Sequence, residues 1–185
     1  VIEIGITPNR QDCLGVKGIA RDLASAGMGK LLERKISREK GSFKSPIKIE
    51  IQDNKICSAF VGRYFRNVKN TESPEWLKNK LKSIGLRPIS ALVDITNFVM
   101  YDENRPLHVY DADKIDGKII VRSANDGESF LALDEKDYHL KNGMCVIADE
   151  KKVLGLGGIM GGESTGCSTE TKNVLLESAL FDEIN

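Results

Sequence analysis

Ten residues stand out first: Leu154-Gly155-Leu156-Gly157-Gly158-Ile159-Met160-Gly161-Gly162-Glu163, half of them glycine. Glycine has no Cβ, so such backbone can approach a ligand closely and turn its N–H groups toward it. Two readings follow: a glycine-rich loop between strands, or the wall of a small-molecule pocket. The spacing Gly155-x-Gly157-x-x-x-Gly161, with Glu177 further on, loosely matches a dinucleotide fingerprint. That fingerprint requires a helix directly after the glycines, and residues 162–172 show no apolar helical period, so it is rejected. No Gly-Lys-Ser/Thr follows either, which excludes a phosphate-binding loop of the Walker type.

Other residues carry potential chemistry. Glu177 interrupts the apolar stretch from Val174 to Leu180. A carboxylate there either turns to solvent by simple alternation or aims at a polar pocket, because burying it unpaired is costly. Thr96 and Asn97 sit in an apolar-periodic segment. Thr96 has an easy partner in the carbonyl one turn earlier, whereas a buried Asn97 needs a partner, and a ligand is one candidate. His108, beside Pro106 and Leu107, is either a packed core histidine or a functional one; His139, among Lys and Asp, reads as surface. The four cysteines, Cys13, Cys57, Cys145 and Cys167, have no C-x-x-C spacing. They read as buried thiols in a reducing compartment, with neither a zinc site nor a disulfide frame expected.

These residues need elements to hold them. Val1–Ile6 alternates and predicts a strand. Asp12 is placed as the N-cap of a helix whose stripe is Val16, Ile19, Ala20 and Leu23, stopped by Gly27 and Gly29. Asn9 and Arg10 read as a turn Asn and a solvated Arg, or as a polar pair aimed at a partner. Glu33–Ser45 is basic and aperiodic, a linker or loop. Ile47–Ile51 and Ala59–Val68 predict strands. Ser73 as N-cap and Pro74 as first residue open a helix with Leu77, Leu81 and Ile84 inward and Trp76 as an anchor. Ile89–Met100 has strand-like residues but helical spacing; period is taken over propensity, and a helix capped by Ser90 is predicted. Lys118–Ser123 and Ser129–Leu133 predict a hairpin around Asn125–Glu128, and Met144–Ala148 with Lys152–Leu156 a second one that feeds into the glycine run.

Across 185 residues, 27 Lys plus Arg balance 27 Asp plus Glu. Net charge therefore steers the chain toward neither nucleic acid nor membrane, although Arg63, Arg66 and Lys69 interleave with aromatics as in single-strand binders. No apolar run reaches the length of a membrane span. The abrupt termini suggest a piece of a longer protein.

Five stretches, in order and in register, carry a resemblance. They are Thr7-Pro8-Asn9-Arg10-x-Asp12-Cys13-Leu14, Val93-Asp94-Ile95-Thr96-Asn97-Phe98-Val99-Met100, Pro106-Leu107-His108-x-Tyr110-Asp111, Gly155-Leu156-Gly157-Gly158-Ile159-Met160-Gly161-Gly162 and Leu175-Leu176-Glu177-Ser178-Ala179. Together they resemble the central editing module, the third and fourth domains, of the β subunit of bacterial phenylalanyl-tRNA synthetase. The resemblance spans the whole chain. It implies an α+β (mixed) fold in one module, 1–185, with approximate interleaved subdomains 1–88 and 89–185 and a pocket at their junction.

The activity implied is hydrolysis of tyrosine wrongly esterified to the tRNA for phenylalanine, in the cytoplasm. By the resemblance Glu177 reads the tyrosine phenol, Gly157, Gly158 and Gly161 form the pocket wall, and Thr96, Asn97, Pro106 and His108 surround the scissile ester. Partners implied are the tRNA acceptor end, tyrosine and the synthetase α subunit. No metal or cofactor is implied for this segment; ATP and magnesium would act elsewhere in the complete synthetase. Three departures from the family pattern are visible: Gly157 where Ala is frequent, Gln11 in place of a small residue or Pro, and Val109-Tyr110 in place of Ala-Phe, the last read as packing. The alternative function is a non-catalytic RNA-docking or structural module using the basic 34–69 region.

Overall fold

The computed structural model describes residues 1–32 and 34–182. The chain divides into two compact units, one from Val1–Lys44 and Glu72–Leu107, the other from Ser45–Thr71 and His108–Asn185. The chain crosses between them after residues 44, 71 and 107, so each unit is assembled from two separate stretches of sequence.

The first unit is helical. Val1–Ile6 forms no strand; a 3-10 segment, Pro8–Cys13, leads into α1 (Val16–Ser25). Asp12 does not cap α1, whose N-cap is Gly15. Instead the Asp12 carboxylate pairs with Arg10 (3.0 Å) and with Arg21, and Arg10 reaches on to Asp22 at 2.6 Å. Arg10 is thus neither solvated alone nor free for a partner. Gly27, at φ +76°, turns the chain out of the helix. The apolar stripe of α1 is not covered: Val16 is 60% and Leu23 45% exposed. It borders an open groove of about 720 Å³ together with Leu31 and Leu32.

Two further helices complete this unit, α2 (Glu75–Ser83) and α3 (Ala91–Glu103). Leu77 and Leu81 carry the buried face of α2, as their spacing requires; Ile84, expected inward, is exposed, and Trp76 is 53% exposed, its ring edge-on to Phe98 at 5.6 Å. Helical period correctly outranks β-branching in α3, because a whole face of contacts outweighs a few tenths of a kcal/mol per residue of propensity. The capping differs from expectation. Pro74 is the N-cap of α2, and neither Ser73 nor Ser90 makes a side-chain cap. Buried Asp94 takes over: it accepts from Ser73 Oγ at 2.6 Å and from the Ile89 N–H at 2.9 Å. One carboxylate thereby ties the start of α3 to Ser73, the residue before the N-cap of α2.

The second unit is built of strands: β1 (Ile49–Ile51), β2 (Cys57–Phe65), β3 (His108–Asp111), β4 (Ile119–Ser123), β5 (Ser129–Leu131), β6 (Asp137–His139), β7 (Cys145–Ala148), β8 (Val153–Leu156), β9 (Met160–Gly161) and β10 (Val174–Phe181). They form a five-stranded sheet, β1-β4-β7-β8-β9, a three-stranded sheet, β2-β10-β3, and the hairpin β5-β6. The predicted hairpin of β7 with β8 is present; the one predicted across Asn125–Glu128 is not, since β4 pairs with β1 and β7, and β5 with β6. One apolar core joins the two larger sheets through Cys57, Tyr110, Val121, Cys145, Ile147, Leu154 and Leu175. A second, with Phe130, Leu140, Val146 and Val153, lies under the β5-β6 hairpin. β7 feeds both cores, which is why all four of its residues are buried and its sequence does not alternate.

Among the described residues no helix is long and apolar enough to cross a membrane. The four cysteines are free thiols. The mixed α+β class expected from the sequence is the class observed.

Candidate functional site

The glycine run is a β-hairpin. β8 and β9 pair Gly155 with Gly161 and Leu156 with Met160, leaving Gly157-Gly158-Ile159 as the turn. Gly158 sits at φ +73°, a conformation that disfavours any side chain. The N–H groups are not all idle: Gly157 donates to Cys145 O, Ile159 to Leu156 O and Gly162 to Leu154 O.

What each glycine faces is more informative than the run as a whole. A Cβ on Gly157 would meet Cys145 Sγ at 2.6 Å and the Phe181 ring at 2.8 Å; one on Gly158 would meet Phe181 at 3.0 Å. The room left by these two is occupied by the chain's own aromatic ring. Gly161 differs. Its missing Cβ leaves space for the His108 imidazole, whose Nε2 lies 3.0 Å from the Cβ position.

His108 and Glu177 come together through strand register. β10 lies between β2 and β3, and Glu177 stands opposite Gly62 on one side and His108 on the other. Opposed residues on antiparallel strands share a face. That face looks into the core, and Glu177 is only 6% exposed. The solvent-facing alternative for Glu177 is therefore excluded. Tyr110, two residues along β3 from His108, falls on the same face and is 1% exposed. Its hydroxyl donates to Glu177 Oε2, and its ring meets the imidazole edge-on at 4.4 Å.

The electrostatics follow from burial. Loss of water raises the Glu177 carboxyl to about 7, only partly offset by the hydrogen bond from Tyr110, which favours the charged form. Burial lowers the His108 imidazole to about 4, so it is neutral near pH 7. A neutral imidazole offers one acceptor and one donor nitrogen, and Glu177 titrates where a small change in surroundings decides its charge.

Tyr110, which the sequence reading treated as packing, belongs to the same buried cluster. It does pack, but its hydroxyl also finds the buried carboxylate. The available signal was a pair of matching needs: a phenol and a carboxylate in apolar strands each require a partner. Of the remaining candidates, Thr96 in α3 bonds back to Val93 O at 2.8 Å, the local option foreseen for it. Thr96, Asn97 and Pro106 belong to the helical unit, whereas His108, Glu177, Gly157, Gly158 and Gly161 belong to the β unit.

Residues 56–185 match the family described as the B3/4 domain. The chain belongs to the B3/4 domain family. Over its whole length this B3/4 chain is 57% identical to the phenylalanine--tRNA ligase β subunit of Bradyrhizobium diazoefficiens and 55% identical to that of Rhodopseudomonas palustris. It spans 23% of the length of each of these curated relatives. Its fold is that of an N-terminal fragment of the phenylalanyl-tRNA synthetase β subunit from Pyrococcus horikoshii, with a TM-score of 0.54 over 95% of this chain and 54% of that one, at 20% identity.

Proposed function

We propose that this B3/4 chain is the editing module of a phenylalanyl-tRNA synthetase β subunit and hydrolyses the ester of tyrosine wrongly joined to the tRNA for phenylalanine. The observation that carries the reading is Glu177: a buried carboxylate on an apolar sheet face, directly opposite His108, whose imidazole packs on Gly161. The chemical need is general. A pocket shaped for phenylalanine rejects tyrosine poorly, by roughly a hundredfold in comparable cases. A second site with a buried hydrogen-bonding group inverts that preference, since a ligand without the hydroxyl leaves the group unpaired.

In this reading the tyrosine phenol meets Glu177 and the ring passes along Gly161. His108, neutral at working pH, presents a hydrogen-bond acceptor to water or to the terminal ribose of the tRNA. Water adds to the ester carbonyl, the ribose oxygen leaves with a proton, and free tyrosine and deacylated tRNA result. Gly157 and Gly158 support the turn against Phe181, leaving Gly161 as the wall. Thr96, Asn97 and Pro106 enter only through the family resemblance, as groups near the ester. The same resemblance supports cytoplasmic action, the tRNA acceptor end as partner and an α subunit alongside.

The test is deacylation of Tyr-tRNA and Phe-tRNA by the complete synthetase. Glu177→Ala and His108→Ala are expected to cut Tyr-tRNA hydrolysis by at least tenfold. If both variants hydrolyse it at the normal rate, the site lies elsewhere.

A further inference from the structure

Glu177 already has a phenol, and it comes from the protein. Tyr110 donates its hydroxyl to Glu177 Oε2 from inside the core. The ring is held in place: it is 1% exposed, lies edge-on to His108, and belongs to the apolar cluster with Leu175, Cys57 and Leu154. No swing to solvent is open to it, so the donor is permanent. The other carboxylate oxygen remains available. Among the described residues the fully buried side-chain polar atoms without a partner are Ser90 Oγ and Thr165 Oγ1, and neither oxygen of Glu177 is among them. A carboxylate accepts at about four lone-pair positions, so one internal donor does not saturate it.

We propose that Tyr110 sets the selectivity of this site: by giving Glu177 a permanent donor, it weakens the preference for a hydroxylated aromatic side chain over a plain phenyl ring. The proposal rests on the reading of Glu177 as the group that meets the ligand's phenol. Discrimination at such a site comes less from the bond made with the right ligand than from the buried group left unpaired by the wrong one. Tyr110 partly removes that penalty. A phenyl ligand entering beside Glu177 finds the carboxylate already bonded on one oxygen, and the cost of its entry falls accordingly. Without the Tyr110 hydroxyl, the ligand's own phenol would be the one donor left to the carboxylate, and its absence would cost more.

The experiment compares the complete synthetase with its Tyr110→Phe and Glu177→Gln variants, measuring kcat/KM for deacylation of Tyr-tRNA and of Phe-tRNA. The ratio of the two values cancels the amount of folded enzyme, so partial misfolding does not imitate the effect. Tyr110→Phe is expected to raise the Tyr/Phe ratio by roughly fivefold or more, the scale of one buried hydrogen-bond partner, and Glu177→Gln to lower it toward one. If Glu177→Gln lowers the ratio while Tyr110→Phe leaves it unchanged or lowers it, the role given to Tyr110 is wrong and the editing site stands. A ratio indifferent to Glu177→Gln removes the phenol-reading role and the proposal with it.

Discussion

Glu177 and His108 face each other across the β10–β3 ladder as directly opposed residues, and burial pushes their protonation in opposite senses. An ordinary Glu-His pair near pH 6 would be a carboxylate beside an imidazolium. This pair is instead a carboxylic acid beside a neutral imidazole. The low-dielectric surroundings penalise both charges, and no hydrogen bond joins the two side chains to offset that penalty.

The consequence for stability is a near-cancellation that single substitutions should expose. Glu177 keeps its proton up to about 7 when folded and releases it near 4.5 when unfolded, so its contribution is present below 4.5 and is lost as pH rises to 7. His108 is the reverse: it stays neutral down to about 4 when folded and takes a proton near 6.5 when unfolded, so its contribution is present above 6.5 and is lost as pH falls to 4. Each slope is worth roughly 3 kcal/mol at full extent. In urea unfolding of this 185-residue chain, Glu177→Gln should make stability climb from acid toward neutral pH. His108→Gln should make it decline over that interval. Parallel pH profiles for the two variants would contradict the inverted protonation.

Gly161→Ala should act on the site through His108. The new Cβ would overlap the imidazole and lie 3.1 Å from Leu133 Cδ1. The ring must shift from its place beside Tyr110. We expect Tyr-tRNA deacylation by the complete synthetase to fall about tenfold or more, for a loss of about 1–3 kcal/mol in stability, the usual cost of overpacking. Activity retained alongside a displaced ring in a variant structure would separate His108 position from function.

Gly157→Ala should be a stability variant. Its Cβ would collide with Cys145 Sγ and the Phe181 ring. A loss of about 1–3 kcal/mol is expected in thermal or urea unfolding. Cys145→Ala in the same chain opens the space, so the double variant should be less destabilised than the sum of the singles; strict additivity would mean that the two sites do not touch.

Asp94→Ala should loosen the helical unit. It removes the acceptor of Ser73 Oγ and of the Ile89 N–H, both in contact with a 1% exposed carboxylate. Loss of a buried group that leaves its two partners unsatisfied costs on the order of 2–6 kcal/mol here, at about 1–3 per orphaned donor. Amide exchange at Ile89 should accelerate relative to the core of β7; unchanged protection there would place the capping function elsewhere.

The amphipathic period made α3 legible despite its β-branched residues, and alternation with turn residues made the β7–β8 hairpin legible. These are local signals, set by which positions along one segment must be apolar. The five motifs in register were enough to place the chain in its family. Val1–Ile6 misled because alternation shows only what a strand would bury, and a strand needs an adjacent strand to pair with. The capping residues misled for a related reason: Asp94, close in space and more strongly accepting, takes the Ser73 hydroxyl as a donor and bonds the Ile89 N–H ahead of α3.

The site divides along the same line. That Glu177 is a costly residue in an apolar strand was visible in the sequence, since the price of an unpaired carboxylate depends on its neighbours in the chain. Whether it faced water was not visible, because alternation in β10 admits either face until β2 and β3 close around it. Its partnership with Tyr110 was hidden by a separation of 67 residues. Only the antiparallel register of β3 on β10 brings that phenol to that carboxylate, and only tertiary packing decides that Phe181 fills the room at Gly157 and Gly158 and His108 the room at Gly161.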